Sequence, residues 1–148
     1  MTEEKLRKLL KDVQKPGRYT GGELNSVIKD KNKVDVRFAF CFPDTYEIGM
    51  SHLGMKILYS LINTLDFAWC ERVFAPWVDM EKNMNEQDVG TFALESLDDI
   101  SEFDIIGFTL QYELCYTNML NMLAMSKIPL LSRAFLISIK SPPKVIFN

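Results

Sequence analysis

Apolar residues recur along the chain with two periods, and together these predict strands alternating with helices. Three runs rich in β-branched and aromatic residues predict strands at 34–42, 67–75 and 104–110, and a shorter strand is predicted at 91–94. The first and third runs are apolar on both faces over part of their length. That pattern is typical of interior strands of a parallel sheet covered by helices.

Between these runs, apolar residues spaced three and four apart predict helices at 3–14, 50–65, 77–87 and 113–126. Thr2 is expected to cap the first helix. In the last helix Tyr116, Met119, Leu120 and Leu123 fall in register. The helix at 50–65 has the clearest apolar stripe, on whose face Gly54 would allow a close approach to the sheet: Met50, Leu53, Ile57, Leu58, Leu61, Ile62 and Leu65.

This order of elements predicts an α/β fold with a doubly wound, mostly parallel sheet of the Rossmann or flavodoxin type. Residues 1–32 are expected to form a helix and an extended lead-in, residues 33–131 the α/β domain, and residues 132–148 a divergent or truncated tail. The tail offers a strand-like run at 130–140, then two prolines and the run 144–147. No residues remain for a covering helix, so we expect the fold to be incomplete at the C-terminus.

Composition narrows the class of protein. The 148 residues are 47% hydrophobic and 25% charged, which suits a globular domain with a sizeable core. Cys41, Cys70 and Cys115 lie far apart in apolar runs, as reduced thiols of cytoplasmic proteins do. No apolar run is long enough to span a membrane. The net charge of −3 gives no reason to expect nucleic-acid binding.

Charge is unevenly distributed, because residues 1–32 hold eight Lys or Arg against five Asp or Glu. This basic lead-in could pack on the acidic remainder, form an interaction surface, or simply be a solvated end.

Two loops follow the strong strands at the edge where open parallel sheets bind ligands. The loop at 42–54 contains neither GxGxxG nor GxxxxGK[ST], so it does not match a phosphate-binding loop. It does gather Asp44, Tyr46 and Glu47 at the start of a helix, which suits either a polar ligand edge or a well-capped turn. His52 is the single histidine, so a multi-histidine metal site is excluded, and its ring faces either a ligand or solvent.

The loop at 109–118 is rich in polar and aromatic residues. Thr109, Gln111, Tyr112, Glu113 and Tyr116 could contact the edge of a large planar ligand by stacking and hydrogen bonding. Alternatively, the two tyrosines cap the apolar core.

Three blocks of sequence carry a family resemblance: GRYTGGELNSV at 17–27, FPDTYEIGMSHLGMKILYSLIN at 42–63 and FDIIGFTLQYELCYTNMLNML at 103–123. Over residues 17–131 the chain resembles the N-terminal region of a radical SAM family, in which a cobalamin-binding-like Rossmann domain precedes the radical barrel. The resemblance implies a B12-binding-domain-like fold that places a corrinoid over the carboxyl ends of its strands. The contacts it implies lie in both loops: Tyr46, Glu47, Gly49, His52, Thr109, Gln111, Tyr112 and Glu113.

The resemblance further implies that the complete protein carries a [4Fe–4S] cluster on CxxxCxxC and cleaves S-adenosylmethionine. This chain has no CxxxCxxC and is not expected to be catalytic alone. It also departs from DxHxxG, the motif whose histidine ligates cobalt in many cobalamin domains. Met50 stands at the Asp position and Gly54 falls one residue early.

Three functional hypotheses stay open at this point. The chain is the cobalamin-type cofactor-binding domain fragment of a radical SAM enzyme, or an α/β interaction domain that binds a partner subunit and no cofactor, or a non-functional gene remnant. The partner under the first two hypotheses would be a radical SAM barrel subunit or a missing C-terminal domain.

Overall fold

A computed structural model describes residues 1–130 and 144–147, and within them four strands alternate with helices. The strands are β1 (Val36–Phe42), β2 (Ala68–Phe74), β3 (Ile105–Phe108) and β4 (Lys144–Phe147). The helices are α1 (Glu3–Leu9), α2 (Tyr46–Ser51), α3 (Leu53–Asn63), α4 (Val78–Glu86) and α5 (Cys115–Met125). Two short 3-10 turns occur at Pro16–Arg18 and Ile100–Glu102.

The strands form one parallel sheet in the order β2-β1-β3-β4. The chain leaves β1 towards β2 but leaves β3 towards β4, so the two crossovers run in opposite directions. The carboxyl ends of β1 and β3 therefore form the topological switch point of a flavodoxin-type sheet. The predicted α/β fold with a parallel sheet is confirmed.

Both faces of the sheet are covered, because alternate residues of β1 point to opposite sides. On one side Phe40 and Phe42 pack with Met55 and Tyr59 of α3. On the other side the core includes residues of β1, β3 and α5: Cys41, Ile106, Phe108, Met119 and Met122. The doubly wound arrangement predicted from the order of elements follows from these two cores.

The basic lead-in packs on the rest of the domain. Thr2 caps α1, its hydroxyl accepting a hydrogen bond from the Lys5 N–H at 3.3 Å. The apolar face of α1 contributes to a third core cluster with α4. Further along, Lys29 Nζ donates to two backbone carbonyls near the start of β2, at 2.8 and 2.7 Å, and Lys31 pairs with Asp98 at 3.0 Å. Of the alternatives for this segment, packing on the acidic body is the one observed.

The predicted helix at 50–65 differs from the structure in two ways. It is broken at His52, whose extended backbone ends α2 and begins α3. Most of the predicted stripe also points away from the sheet: Met55 and Tyr59 are the buried residues of α3, and of the stripe itself Met50 and Ile62 pack against the core. Gly54 lies beside the His52 ring and not against the sheet, so its predicted packing role is wrong. Helical spacing of apolar residues predicts that the stripe faces the sheet, whereas in the structure Met55 and Tyr59 do.

Two smaller predictions are also wrong. Residues 91–94 form no strand; Phe92 makes a single antiparallel bridge to Asp99, and Leu94 N–H donates to Arg72 O at 2.9 Å. The pairing of this segment with β2 does not continue, because the backbone N–H of Arg72 in β2 donates to the Glu95 carboxylate, at 2.7 Å, and not to a backbone carbonyl of residues 91–94. In α5 Met119 and Leu123 are buried as predicted, but Tyr116 and Leu120 are exposed.

The predicted strand-like run at 130–140 lies almost entirely outside the described residues. β4 begins after it and pairs in parallel with β3, with Lys144 opposite Ile105. The described helices include none that is long and apolar enough to cross a bilayer.

Candidate functional site

The loops that follow β1 and β3 are bonded to each other at the switch point. Tyr112 donates its hydroxyl hydrogen to Asp44 Oδ2 at 3.0 Å, and Asn118 of α5 donates to Pro43 O at 2.9 Å. At the ends of the strands themselves, Thr109 N–H donates to Cys41 O at 3.3 Å. We refer to Asp44, His52, Thr109, Gln111, Tyr112 and Asn118 as the switch-point rim. Parallel strands bring these residues together, although the side chains that bond across the two loops lie 59 to 75 positions from their partners in the sequence.

A chain of side-chain hydrogen bonds fixes the orientation of His52. As the N-cap of α3, its Nδ1 accepts from Met55 N–H at 3.2 Å, and its Nε2 lies 3.1 Å from Gln111 Oε1. An Nδ1 that accepts a hydrogen bond leaves the hydrogen of a neutral imidazole on Nε2, which then donates to Gln111. The same glutamine donates from Nε2 to Thr109 Oγ1 at 2.7 Å. The four groups therefore have one consistent set of donors and acceptors.

Tyr112 stands at the open side of the rim, with 47% of its side chain exposed. Its hydrogen bond to Asp44 raises the pKa of the phenol, because the neighbouring carboxylate disfavours a phenolate. The ring is thus held as a neutral phenol that offers a face to solvent. Glu113 is exposed in the turn before α5, where its carbonyl accepts from Tyr116 N–H at 3.2 Å.

The three other candidates from the first loop have partners outside the rim. Tyr46 donates to Glu23 at 2.9 Å, and its ring packs edge-on against Phe74. Glu47 pairs with Arg18 at 2.8 Å and with Lys15 at 3.1 Å. That double pairing, with the Arg18 hydrogen bond foremost, lowers the pKa of Glu47 to about 2.

Gly49 lies on the buried face of α2, where an added Cβ would overlap the Phe74 ring. Its small size therefore lets α2 lie on the end of the sheet, which is a packing role. Of the eight sequence candidates, the structure joins His52, Thr109 and Gln111 to one another and places Tyr112 beside them.

Comparison with known proteins gives a match over the part of the chain that contains β2, β3 and the second loop. A family model described as the N-terminal region of radical SAM proteins matches residues 54–135, more than half of the chain. The chain belongs to this radical SAM N-terminal family. A search of curated proteins found no match, and a search of solved structures found none either.

The match includes some parts of the rim and not others. It begins within α3, so it contains the loop at 109–118 but neither Asp44 nor His52. Membership of the radical SAM N-terminal family therefore rests on α3, β2, α4, β3 and α5. The role given to the first loop rests on the structure of this chain and not on the family match.

The rim can be compared with what a cobalamin would require. A histidine ligates cobalt through a ring nitrogen that carries no hydrogen, yet in this radical SAM N-terminal domain both nitrogens of His52 are engaged, one by a backbone amide and one by Gln111. The donor set does not fit histidine ligation of cobalt. It does fit contacts with the polar edge of a planar ligand, since an amide, a hydroxyl and a phenol converge there. Within the described residues no group of three or more His, Cys, Asp and Glu side chains could hold a metal ion.

A cavity of about 660 Å³ lies away from the rim, between α3 and the lead-in. Of the eight sequence candidates only Gly49 lines it, and the Arg72–Glu23 ion pair forms part of its wall. Tyr59 also lines the cavity, and its hydroxyl accepts a hydrogen bond from Val27 N–H at 2.7 Å. Sequence reasoning missed this cavity because its walls come from segments about 30 residues apart that share no motif.

Two rim residues were absent from the sequence candidates for binding. Asp44 was noted as part of the polar loop, and its position directly after β1 was signal enough to include it. Asn118 had no such signal, because only the packing of α5 beside the β1 loop brings its amide to Pro43.

Proposed function

We propose that this chain is the cofactor-binding α/β domain of a radical SAM protein, and that its switch-point rim holds a corrinoid without a protein ligand to cobalt. The observation that supports this most is the pair of hydrogen bonds that join the two loops, Tyr112 to Asp44 and His52 to Gln111. They form one preorganised polar edge at the place where open α/β sheets bind ligands.

Each rim group has a role in this proposal. The exposed face of Tyr112 would lie against the macrocycle, and the Gln111 and Thr109 side chains would hydrogen-bond to its peripheral amides. His52 positions Gln111 and caps α3, so it acts through another residue. Cobalt would supply its own organometallic chemistry when bound, and this chain would orient the macrocycle and cover one of its faces.

Titration of the purified chain with hydroxocobalamin, followed through the corrin absorption bands, tests the proposal. We expect saturable binding that Tyr112→Ala weakens about three- to tenfold through lost stacking area. Phe67→Ala is the matched control, since Phe67 is similarly exposed, at 52%, but precedes β2 at the amino-terminal edge of the sheet, opposite to the rim. No spectral change at millimolar cobalamin, or equal losses in both variants, would overturn the proposal.

His52→Ala separates the claim about cobalt from the claim about binding. Because the ring is held by Met55 and Gln111, we expect the bound spectrum to keep the same axial ligation in this variant. A wild-type spectrum typical of an imidazole ligand that disappears in His52→Ala would show that the histidine turns to bind cobalt.

A second candidate function is an interaction domain that holds no cofactor and docks on a radical SAM subunit. The exposed apolar face of α3 favours it, because large apolar patches mark interaction sites. Co-expression with a radical SAM subunit, followed by co-purification in a fixed ratio and unchanged by cobalamin, would support this function over the first.

A further inference from the structure

The outward face of α3 is an apolar surface that no described residue covers. Leu53, Ile57 and Leu61 are 69%, 56% and 60% exposed, on the side opposite to the buried Met55 and Tyr59. Helical spacing of four residues places these three in one continuous line. The face is therefore a stripe along the helix, and we call it the α3 stripe.

The stripe is large enough to form most of one side of an interface. With Leu58 and Leu65 on its flank, 40% and 42% exposed, it presents on the order of 500 Å² of apolar surface. A stable protein–protein interface needs about 800 Å² from each partner, most of it apolar at the centre. The single charge on α3 is that of Lys56, which lies to the side of the stripe.

The sequence of the stripe has an internal symmetry. Leu53 and Leu61 lie four residues before and after Ile57, and the small residues Gly54 and Ser60 lie three before and after it. Read from either end of the helix, the order of large and small positions is the same. A two-fold interface needs a surface that is complementary to itself in this way.

We propose that α3 is the contact of a two-fold homodimer, in which the helices of two copies pack antiparallel with Ile57 nearest the axis. Leu53 would then lie near the partner's Leu61, and the small residues at 54 and 60 would leave room for these leucines. The two-fold axis would bring the same side of the two α3 helices together, so Leu58 would lie on the same side of the interface as the partner's Leu58. Antiparallel packing also opposes the two helix dipoles favourably.

Analytical ultracentrifugation of the purified chain tests the dimer. We expect a species of twice the mass of one chain at micromolar concentration, and dissociation by Ile57→Lys, which places two like charges beside the axis. Leu120→Lys is the matched control, because Leu120 is 41% exposed on α5, on the opposite face of the sheet. A monomer at several hundred micromolar overturns the proposal, as does a dimer that only Leu120→Lys dissociates.

Disulfide crosslinking tests the orientation of the helices and does not depend on disrupting them. The three native cysteines are buried, so an introduced surface thiol is the reactive one. We expect Ile57→Cys to crosslink to itself on mild oxidation. Leu53→Cys and Leu61→Cys should crosslink efficiently only when the two variants are mixed. Self-crosslinking at 53 and 61 in preference to the mixed product would mean parallel packing and would overturn the antiparallel arrangement.

Discussion

Replacing Arg72 with methionine tests which interactions hold the lead-in against the sheet. Arg72 lies in β2 with 7% of its side chain exposed, and its guanidinium contacts Glu95 at 2.7 Å and Glu23 at 2.8 Å. It also donates to Ser26 at 2.8 Å and stacks over the Tyr59 ring. One side chain thus joins β2, the lead-in and α3. Methionine has nearly the same length and removes the charge and the donors.

The size of the stability loss expected in Arg72→Met follows from the burial of Glu95. Its side chain is 1% exposed, so Arg72→Met would leave an unpaired carboxylate where water cannot solvate it. Removing one partner of a buried ion pair costs about 3–5 kcal/mol. For a chain of this size that corresponds to a fall in melting temperature of roughly 6–20 °C. Because small domains have about 5–15 kcal/mol of stability, the variant should still fold.

The loss should depend on pH in a direction set by Glu95. Burial already raises the pKa of this carboxyl group, and without Arg72 the pKa would rise further. A carboxyl group whose folded pKa exceeds its unfolded value destabilises the fold only once it ionises. The cost is therefore absent below the unfolded pKa and grows as the pH rises towards the folded one.

Urea unfolding followed by circular dichroism, at about pH 5 and about pH 8, measures both effects. We expect the larger loss at the higher pH, and partial recovery in Arg72→Met/Glu95→Gln, which removes the unpaired charge. Arg7→Met is the matched control, because Arg7 is exposed on α1, and it should change stability by less than about 0.5 kcal/mol. If Arg72→Met loses less than about 1 kcal/mol of unfolding free energy at both pH values, the Arg72 network does not hold the lead-in against the sheet.

Two further predictions concern α2. Gly49→Ala should lower the free energy of unfolding by about 1–3 kcal/mol in urea melts, because the new methyl group overlaps the Phe74 ring, whereas Gly17→Ala, in open space, should be nearly neutral; equal effects would contradict the packing role. Arg18 and its neighbours hold the Glu47 pKa at about 2, so the pairing stabilises the fold above about pH 4.5 and fades as the pH falls towards 2. Nearly half of that carboxylate is exposed, so Glu47→Gln should cost less than about 1 kcal/mol at pH 7 and less again near pH 3, and a cost that grows on acidification would contradict the pairing.

The sheet and the meeting of the two rim loops could be predicted from the sequence, because the strands have clear local signals and their order determines which loops meet. β1, β2 and β3 lie within their predicted runs, and parallel strands necessarily bring their carboxyl ends to one edge. The loops that follow β1 and β3 therefore had to meet. The contact of Tyr112 with Asp44 is therefore a consequence of the sheet topology and not of a sequence motif.

The buried side of α3 could not be predicted, because the helix has apolar residues on two faces. Periodicity ranks the stripe of Leu53, Ile57 and Leu61 above Met55 and Tyr59, yet the sheet takes the second set. Tyr59 reaches further, so that its ring packs in the core while its hydroxyl bonds to Val27. Only the partners across the interface, which are remote in sequence, decide between the two faces.

The roles of Tyr46 and Glu47 were unpredictable for a related reason. Both follow β1 directly, so position alone assigns them to the rim, but their partners Glu23 and Arg18 come from the lead-in. No sequence pattern indicates a hydrogen bond or an ion pair between residues 23 to 29 positions apart. The packing of the basic lead-in therefore withdrew two polar groups from the candidate site.

Different sides of α3 serve different purposes, and this makes the corrinoid proposal independent of the homodimer proposal. Its first turn is capped by His52, which serves the rim; its inner face is fixed by Met55 and Tyr59; and the α3 stripe faces outward. A substitution at Ile57 changes the outward face without touching the cap or the core. Loss of the dimer with unchanged corrinoid binding, and the reverse for Tyr112→Ala, would then show that the two sites are distinct, whereas joint loss in both variants would mean that the rim is completed by a second copy.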